Sequence, residues 1–193
     1  MKVKRILAYL IDLFIISFIV ALLFRLPMFE KDYDKFDELS NQEMELIFSG
    51  NIDNLDEDGI YELEYQLNRA SLPMLIIRVG VLLLYFGVFQ YIWNGQTLGK
   101  RLMNIKIAPN TGKVLNPGLF IIRSVLVSNM IPSILNILAL IFFGRELWII
   151  SYNFIGNFQF VIMGILYGFV IFREDERGLH DILCNTKVIS KRK

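Results

Sequence analysis

Asp12, Arg78 and Arg123 are the only charged side chains in four apolar runs, 6–24, 74–93, 118–143 and 147–172. An ionisable residue at membrane depth is expensive, and its usual roles are an ion pathway, a proton relay or a buried ion pair. Asp12 stands six residues into its run, a depth of about 9 Å at about 1.5 Å per residue. Arg123 stands five residues into the third run, about 8 Å from the same face. Depth therefore pairs Asp12 with Arg123, and leaves Arg78, near the far end of its run, to snorkel outward or meet an acidic loop. Arg5 precedes Asp12 by seven residues, which puts both on one helix face. The expectation is an Arg5–Asp12–Arg123 cluster. Positive charge beside a carboxylate favours its ionised form, so such a cluster is either a fixed ion pair or a coupling site from which an arginine must move away.

Polar side chains continue the theme. Ser124, Ser128, Asn129 and Asn136 interrupt the third run, Asn153, Asn157 and Gln159 the fourth. Asn129 with Asn136, and Asn153 with Asn157, share helix faces by spacing. Hydrogen bonds between helices explain such residues, and so does a hydrated path.

Other chemistries fit poorly. The segment Gly95-Gln96-Thr97-Leu98-Gly99-Lys100-Arg101 resembles a phosphate-binding loop, but three residues rather than four separate its glycines, and Arg101 replaces the magnesium-binding hydroxyl. His180 is the only histidine, and Cys184 the only cysteine. Four apart, they share a face, yet no further zinc ligand accompanies them. Residues 53–59 lack the register of a calcium loop. No metal, cofactor or enzyme activity is expected. A net charge of +1 argues against nucleic acid as a partner.

The elements that position these residues follow from hydropathy. The four runs hold 91 residues and three charges; the other 102 residues carry 36 of the 39 charges. A helix in water needs a polar face, and these have none. Each run reaches the roughly 18–20 residues that cross a bilayer. The first run exceeds the core of a signal peptide and has no small-x-small cleavage site after it, so it reads as a retained helix. The fold class expected is all-α, a polytopic membrane protein forming one domain over 1–193. Its helices are placed at about 6–26, 72–93, 118–143 and 147–172, with an excess in the longer two to be absorbed by tilt, a kink at Pro132 or an interfacial portion.

Thirteen Lys and Arg residues fall on the side of the termini, which holds the 94–117 loop and the 173–193 tail, against five on the other. Both termini should be cytoplasmic and the protein a multi-pass resident of the cell membrane. The opposite side carries the 27–71 loop, with 13 acidic and 3 basic residues, a net of −10. Apolar spacing predicts helices around 36–47 and 60–67 within it. In the 94–117 loop, Ile105 and Ile107 alternate with Lys106 ahead of a Pro109–Gly112 turn, and Val114 and Leu115 should return as a hairpin.

Taken together, these motifs resemble the RDD family of membrane proteins, named for one arginine and two aspartates. RILAYLID, from Arg5 to Asp12, is similar to the family's first helix. GQTLGKRLMNIKI, residues 95–107, is similar to its glycine-lysine loop, with Gly95, Thr97, Gly99, Lys100 and Arg101. RGLHDILCNTKVI, residues 177–189, resembles its closing segment and places the second aspartate at Asp181, beside His180. Arg123 falls where a helix-three arginine is expected. Cys184 and Asn185 stand where small residues are common, a mild departure. The resemblance implies a four-helix membrane unit and a role in transport, with cation/proton exchange suggested for some members. Arg5, Asp12, Arg123 and Asp181 are then the transport or coupling residues, with Asp181 anchoring Lys100 or Arg101 beneath Asp12. The partners expected are the lipid bilayer, a monovalent cation or proton, and a second copy of the chain, since four helices rarely enclose a path alone. The alternative is a non-transporting scaffold or accessory subunit whose charged cluster is structural.

Overall fold

The computed structural model describes residues 1–50, 56–111, 116–128 and 130–191. Helix α1, Lys2–Phe24, is apolar around its whole circumference. It buries one stripe, Ala8, Asp12, Ile16, Val20 and Phe24, every fourth residue. Phe14, Phe18 and Leu22 remain exposed, as befits a helix with lipid rather than water on its outer side. Asp12 is the second residue of the buried stripe and is fully buried.

A 3-10 turn, Pro27–Phe29, leads into α2, Glu30–Phe48, and α3, Glu57–Ala70, so the acidic segment folds as two helices. Asp56 caps α3 by accepting from the Gly59 N–H at 2.9 Å. The rest of the failed calcium-loop segment, Asp53 to Leu55, lies outside the described residues. Arg145 holds α3 in place through Asp58 at 2.6 Å and Glu62 at 2.5 Å.

Helix α4 runs over Leu72–Ile92. It is not uniform: Leu83–Phe89 is wound as a π-helix. Such segments are rare and re-aim the side chains they carry. Ile16, Val20, Val79, Leu82, Phe86 and Met130 pack between α1 and α4.

The chain then turns through Asn94 and Gly95, both in the left-handed region, into the short helix α5, Leu98–Leu102. A Cβ at Gly95 would stand 2.4 Å from the Ile107 carbonyl oxygen, so glycine serves both the turn and the close approach. Strand β1, Ile105–Pro109, follows.

Helices α6, Pro117–Val127, and α7, Met130–Phe142, occupy the third apolar run. They meet at 81°, so this run is bent in two, the form of a broken span or of a re-entrant loop. The bend precedes Pro132 instead of arising from it. Pro132 is the third residue of α7, where a missing N–H removes no helical bond. Asn129 lies outside the described residues. Helix α8, Arg145–Phe172, is continuous over 28 residues. Among the described residues, two helices are long and apolar enough to cross a membrane, α1 and α4, or three with the bent pair as one span.

The tail is more than a tail. Helix α9, Leu179–Leu183, is followed by β2, Thr186–Ser190, which pairs antiparallel with β1, Ile107 opposite Val188. The fold is therefore mostly helical rather than all-α. The partner of β1 comes from 81 residues away at Ile107–Val188, not from Val114 and Leu115, which lie outside the described residues. The reason is burial. Ile105, Ile107 and Val188 close over Ala8 and Phe120 to form a small second core, each large side chain contributing roughly 1.5–3 kcal/mol.

Candidate functional site

Two buried carboxylates organise the end of the molecule that carries both termini. Asp12 is bound by neutral donors. The Tyr85 hydroxyl donates to its Oδ1 at 2.6 Å, the Thr97 hydroxyl to its Oδ2 at 2.5 Å, and the Gly99 N–H to Oδ1 at 2.7 Å. Tyr85 belongs to the π segment of α4, and its hydroxyl also accepts the Leu98 N–H at 3.1 Å. Thr97 caps α5 by accepting the Lys100 N–H at 3.3 Å. The first turn of α5 is thus fully hydrogen-bonded, and Asp12 is part of how. This needs α5 to lie directly on α1. A Cβ at Gly99 would come within 2.1 Å of the Ala8 carbonyl oxygen and 2.8 Å of Asp12 Oδ1, so only glycine fits.

Asp181 is bound by cations. Its Oδ2 accepts from Arg5 at 2.5 Å, and its Oδ1 from Arg123 at 2.8 Å. Thr186 donates to Oδ1 at 3.3 Å and the Gly178 N–H to Oδ2 at 3.2 Å. His180 Nε2 lies 3.4 Å from Oδ2. Asp181 is wholly buried, and Arg123 is 4% exposed. Burial opposes the charge on Asp181, yet Arg123, His180 and Arg5 together hold its carboxyl well below the usual range. Burial pushes His180 down as well, against the pull of Asp181. Arg5 also donates to the Glu176 carbonyl, and Arg177 to those of Thr186 and Asp181.

Lys100 lies between the two carboxylates. Its ammonium approaches Thr97 Oγ1 at 3.5 Å and the Phe86 ring at 5.3 Å from the centroid. With the Gln90 amide oriented to satisfy both its ends, the nitrogen donates to the Phe86 carbonyl at 3.0 Å and the oxygen accepts from Lys100 Nζ at 2.8 Å. Burial, then the nearby Arg123, lowers Lys100 to about 7, while Asp12 pulls the other way.

The four coupling residues expected from sequence, Arg5, Asp12, Arg123 and Asp181, gather here with Thr97, Gly99 and Lys100, but their pairing differs from expectation. Arg5 and Arg123 bind Asp181, not Asp12. Depth alone could not distinguish them, because Asp12 finds enough neutral donors in α4 and α5, and α9 brings a second carboxylate between the arginines. Asp181 accordingly anchors neither Lys100 nor Arg101. Arg101 instead stacks over Trp93, 5.2 Å from the ring centroid. Tyr85, Gln90 and Thr186 were missed. Gln90 was visible as a polar residue in an apolar run, whereas the aim of Tyr85 depends on the π winding and has no sequence signature. Among the described residues no three His, Cys, Asp or Glu side chains form a metal-binding group.

A second polar feature lies away from the charges. A pocket of about 320 Å³ between α7 and α8 is lined by Ser133, Asn136, Tyr152, Asn153, Asn157 and Gln159, with apolar residues around them. Asn136 also accepts from the Trp148 indole at 3.0 Å and donates to Asn68 at 3.1 Å, tying α7 and α8 to α3.

The model of the RDD family matches residues 2–185. A protein of Bacillus subtilis (strain 168), named "Uncharacterized protein YxaI", is 25% identical over 134 residues, which cover 68% of this chain and 66% of that protein, just under two thirds. No solved structure matches. The family match takes in the first helix, the glycine-lysine loop, the broken helix pair and the Asp181 segment, which are the elements that build the two carboxylate sites: this chain belongs to the RDD family.

Proposed function

We propose that this chain is a four-span protein of the cell membrane, with both termini cytoplasmic, that moves a small ion or solute in exchange for protons. The observation that carries the reading is the concentration of buried and half-buried charge at one end of an otherwise apolar bundle. Asp12, Asp181, Arg5, Arg123 and Lys100 share one network there. Ionisable groups at membrane depth mark ion pathways and proton relays. The fourth span in this reading is α8, whose 28 residues extend about 42 Å at about 1.5 Å each. The polar pocket between α7 and α8 supports a path that continues beyond the charged end. Exposed Asn153 and Asn157 support a homo-oligomer, because amides on a lipid-facing helix gain by meeting a partner. Nothing in this reading requires an enzyme or a cofactor.

The test is purified protein in sealed vesicles containing a pH-sensitive dye, challenged with sodium, potassium or lithium, beside a folded Asp12→Asn variant. Cation-driven proton movement that the variant loses is the expected result. A well-folded wild type that moves no protons under any of the three gradients would overturn the reading.

One observation favours a second reading, an accessory or scaffold subunit. Every charge in the Arg5–Asp181–Arg123 group is paired, as in a structural clasp. In that case Asp181→Asn would lower the amount of folded protein, and no variant would alter a flux.

A further inference from the structure

Lys100 differs from every other charge at this end of the molecule. Asp181 is gripped by two guanidiniums, and Asp12 by three hydrogen bonds. The Lys100 ammonium, among the described residues, has no carboxylate within ion-pair distance. Its neighbours are two neutral oxygens, from Thr97 and Gln90, and the face of Phe86. Charged groups act on it from three elements. Asp12 and Arg5 face it from α1, Arg123 from α6 and Asp181 from α9. From α4 the nearest titratable group is Tyr85, occupied with Asp12. The two arginines offset the two aspartates, so the socket as a whole gives the ammonium little net electrostatic support.

We infer that Lys100 is the proton-carrying side chain of this site, alternately an ammonium held by Gln90 and Thr97 and a neutral amine that has released its proton to water. In the release step one Nζ–H bond breaks, the electron pair stays on the nitrogen, and the proton leaves as hydronium. No other reactant is needed. The guanidiniums cannot perform this step, because arginine keeps its proton throughout the physiological range. Burial that draws Lys100 down to about 7 makes the exchange possible near neutral pH.

The geometry also gives the proton a structural effect. Gln90 links Lys100 to the Phe86 carbonyl, and Phe86 and Tyr85 both belong to the π segment Leu83–Phe89. When the ammonium becomes an amine, the cation–π contact with Phe86 ends and the Gln90 oxygen loses a charged donor. Both losses fall on the turns of α4 that also aim Tyr85 at Asp12. Protonation of Lys100 thereby bears on the π winding of α4.

The titration claim stands alone, and the transport role rests on the function proposed above. For the first, the full chain is labelled with 13C-lysine in lipid nanodiscs. The Cε signal that disappears in Lys100→Arg is followed from pH 5 to pH 11. A midpoint near neutrality is expected, well below the other lysines, and a midpoint at about 10 or above would overturn the inference. For the second, wild type and Lys100→Arg are compared in the dye-loaded vesicles, after size-exclusion chromatography and circular dichroism have established that the variant folds. Arginine keeps the charge and cannot release it, so proton movement should fall at least tenfold. Undiminished movement in the folded variant would overturn the inference. If Lys100→Arg does not fold, wild type is compared with Gln90→Leu. Loss of the oxygen acceptor should shift the Lys100 midpoint further down, and an unchanged midpoint would count against the socket described here. A wild type with no flux would defeat the transport function alone, leaving the NMR midpoint to decide the proton site.

Discussion

Asp12 and Asp181 are both fully buried carboxylates at the same end of the bundle, and they are satisfied in opposite ways. Around Asp181 the partners are charged, and they come from three separate elements, α1, α6 and the α9 segment. Around Asp12 they are a phenol, a hydroxyl and a backbone N–H, with a lysine just beyond. Charged partners are held strongly and exchange poorly. Neutral hydrogen bonds inside a protein contribute less each, and can be rearranged one at a time. The difference separates a clasp, which joins the chain's two ends to the third apolar run, from a cage, which can change state without unfolding the bundle.

The sharpest way to break the comparison is to remove the clasp. Asp181→Ala leaves Arg5 and Arg123 facing each other with no counter-charge, and loss of one partner of a buried pair costs roughly 3–5 kcal/mol. Thermal unfolding in detergent should show a large drop in midpoint, with little protein surviving purification. Asp12→Asn should do less, about 1–3 kcal/mol, because an amide oxygen can still accept while the amide nitrogen meets donors. That variant should be folded and inactive in the vesicle assay. If the two substitutions destabilise equally, cage and clasp are not distinct.

Gly99→Ala probes the cage from the other side. Its methyl group would strike the Ala8 carbonyl and Asp12, at a typical overpacking cost of about 1–3 kcal/mol. Flux should fall with it. The pH dependence of stability then reports on Lys100. The unfolded chain binds more protons than the folded one between about 7 and the ordinary lysine value of about 10.4. Stability therefore rises with pH through that window, and Lys100→Met should flatten the rise in denaturant titrations. The smallest effect belongs to Arg145→Ala. Its ion pairs with Asp58 and Glu62 are at the surface, and their loss should leave the thermal unfolding midpoint nearly unmoved.

Much of this was legible in the sequence, for reasons that differ between elements. The helices of the acidic segment follow from apolar spacing, and α1 and α4 from run length. The residues of the site were legible too, because charge among apolar residues stands out whatever the fold. Their pairing was not. Arg5 and Arg123 choose Asp181 because β2 pairs with β1 and delivers α9 between them, a contact across 81 residues at Ile107–Val188 that no local pattern encodes. The π winding of Leu83–Phe89 is equally silent, since its residues would pass for an ordinary α-helix. The break in the third run was expected at Pro132, and falls earlier because proline in the first turn of a helix causes no strain.

The pairing of β1 with β2 has a consequence for biosynthesis. Strand β2 and Asp181 follow every apolar run in chain order. A ribosome making this protein translates all four apolar runs before it reaches the carboxylate that binds Arg5 and Arg123. Until then Ile105 and Ile107 also lack their cover. The nascent bundle is a cationic, open-ended intermediate, and the arrival of one short helix and one strand closes it. A stop codon introduced just before residue 178 should therefore leave helices that proteases reach readily, which makes the arrival of the Asp181 segment the checkpoint for assembly.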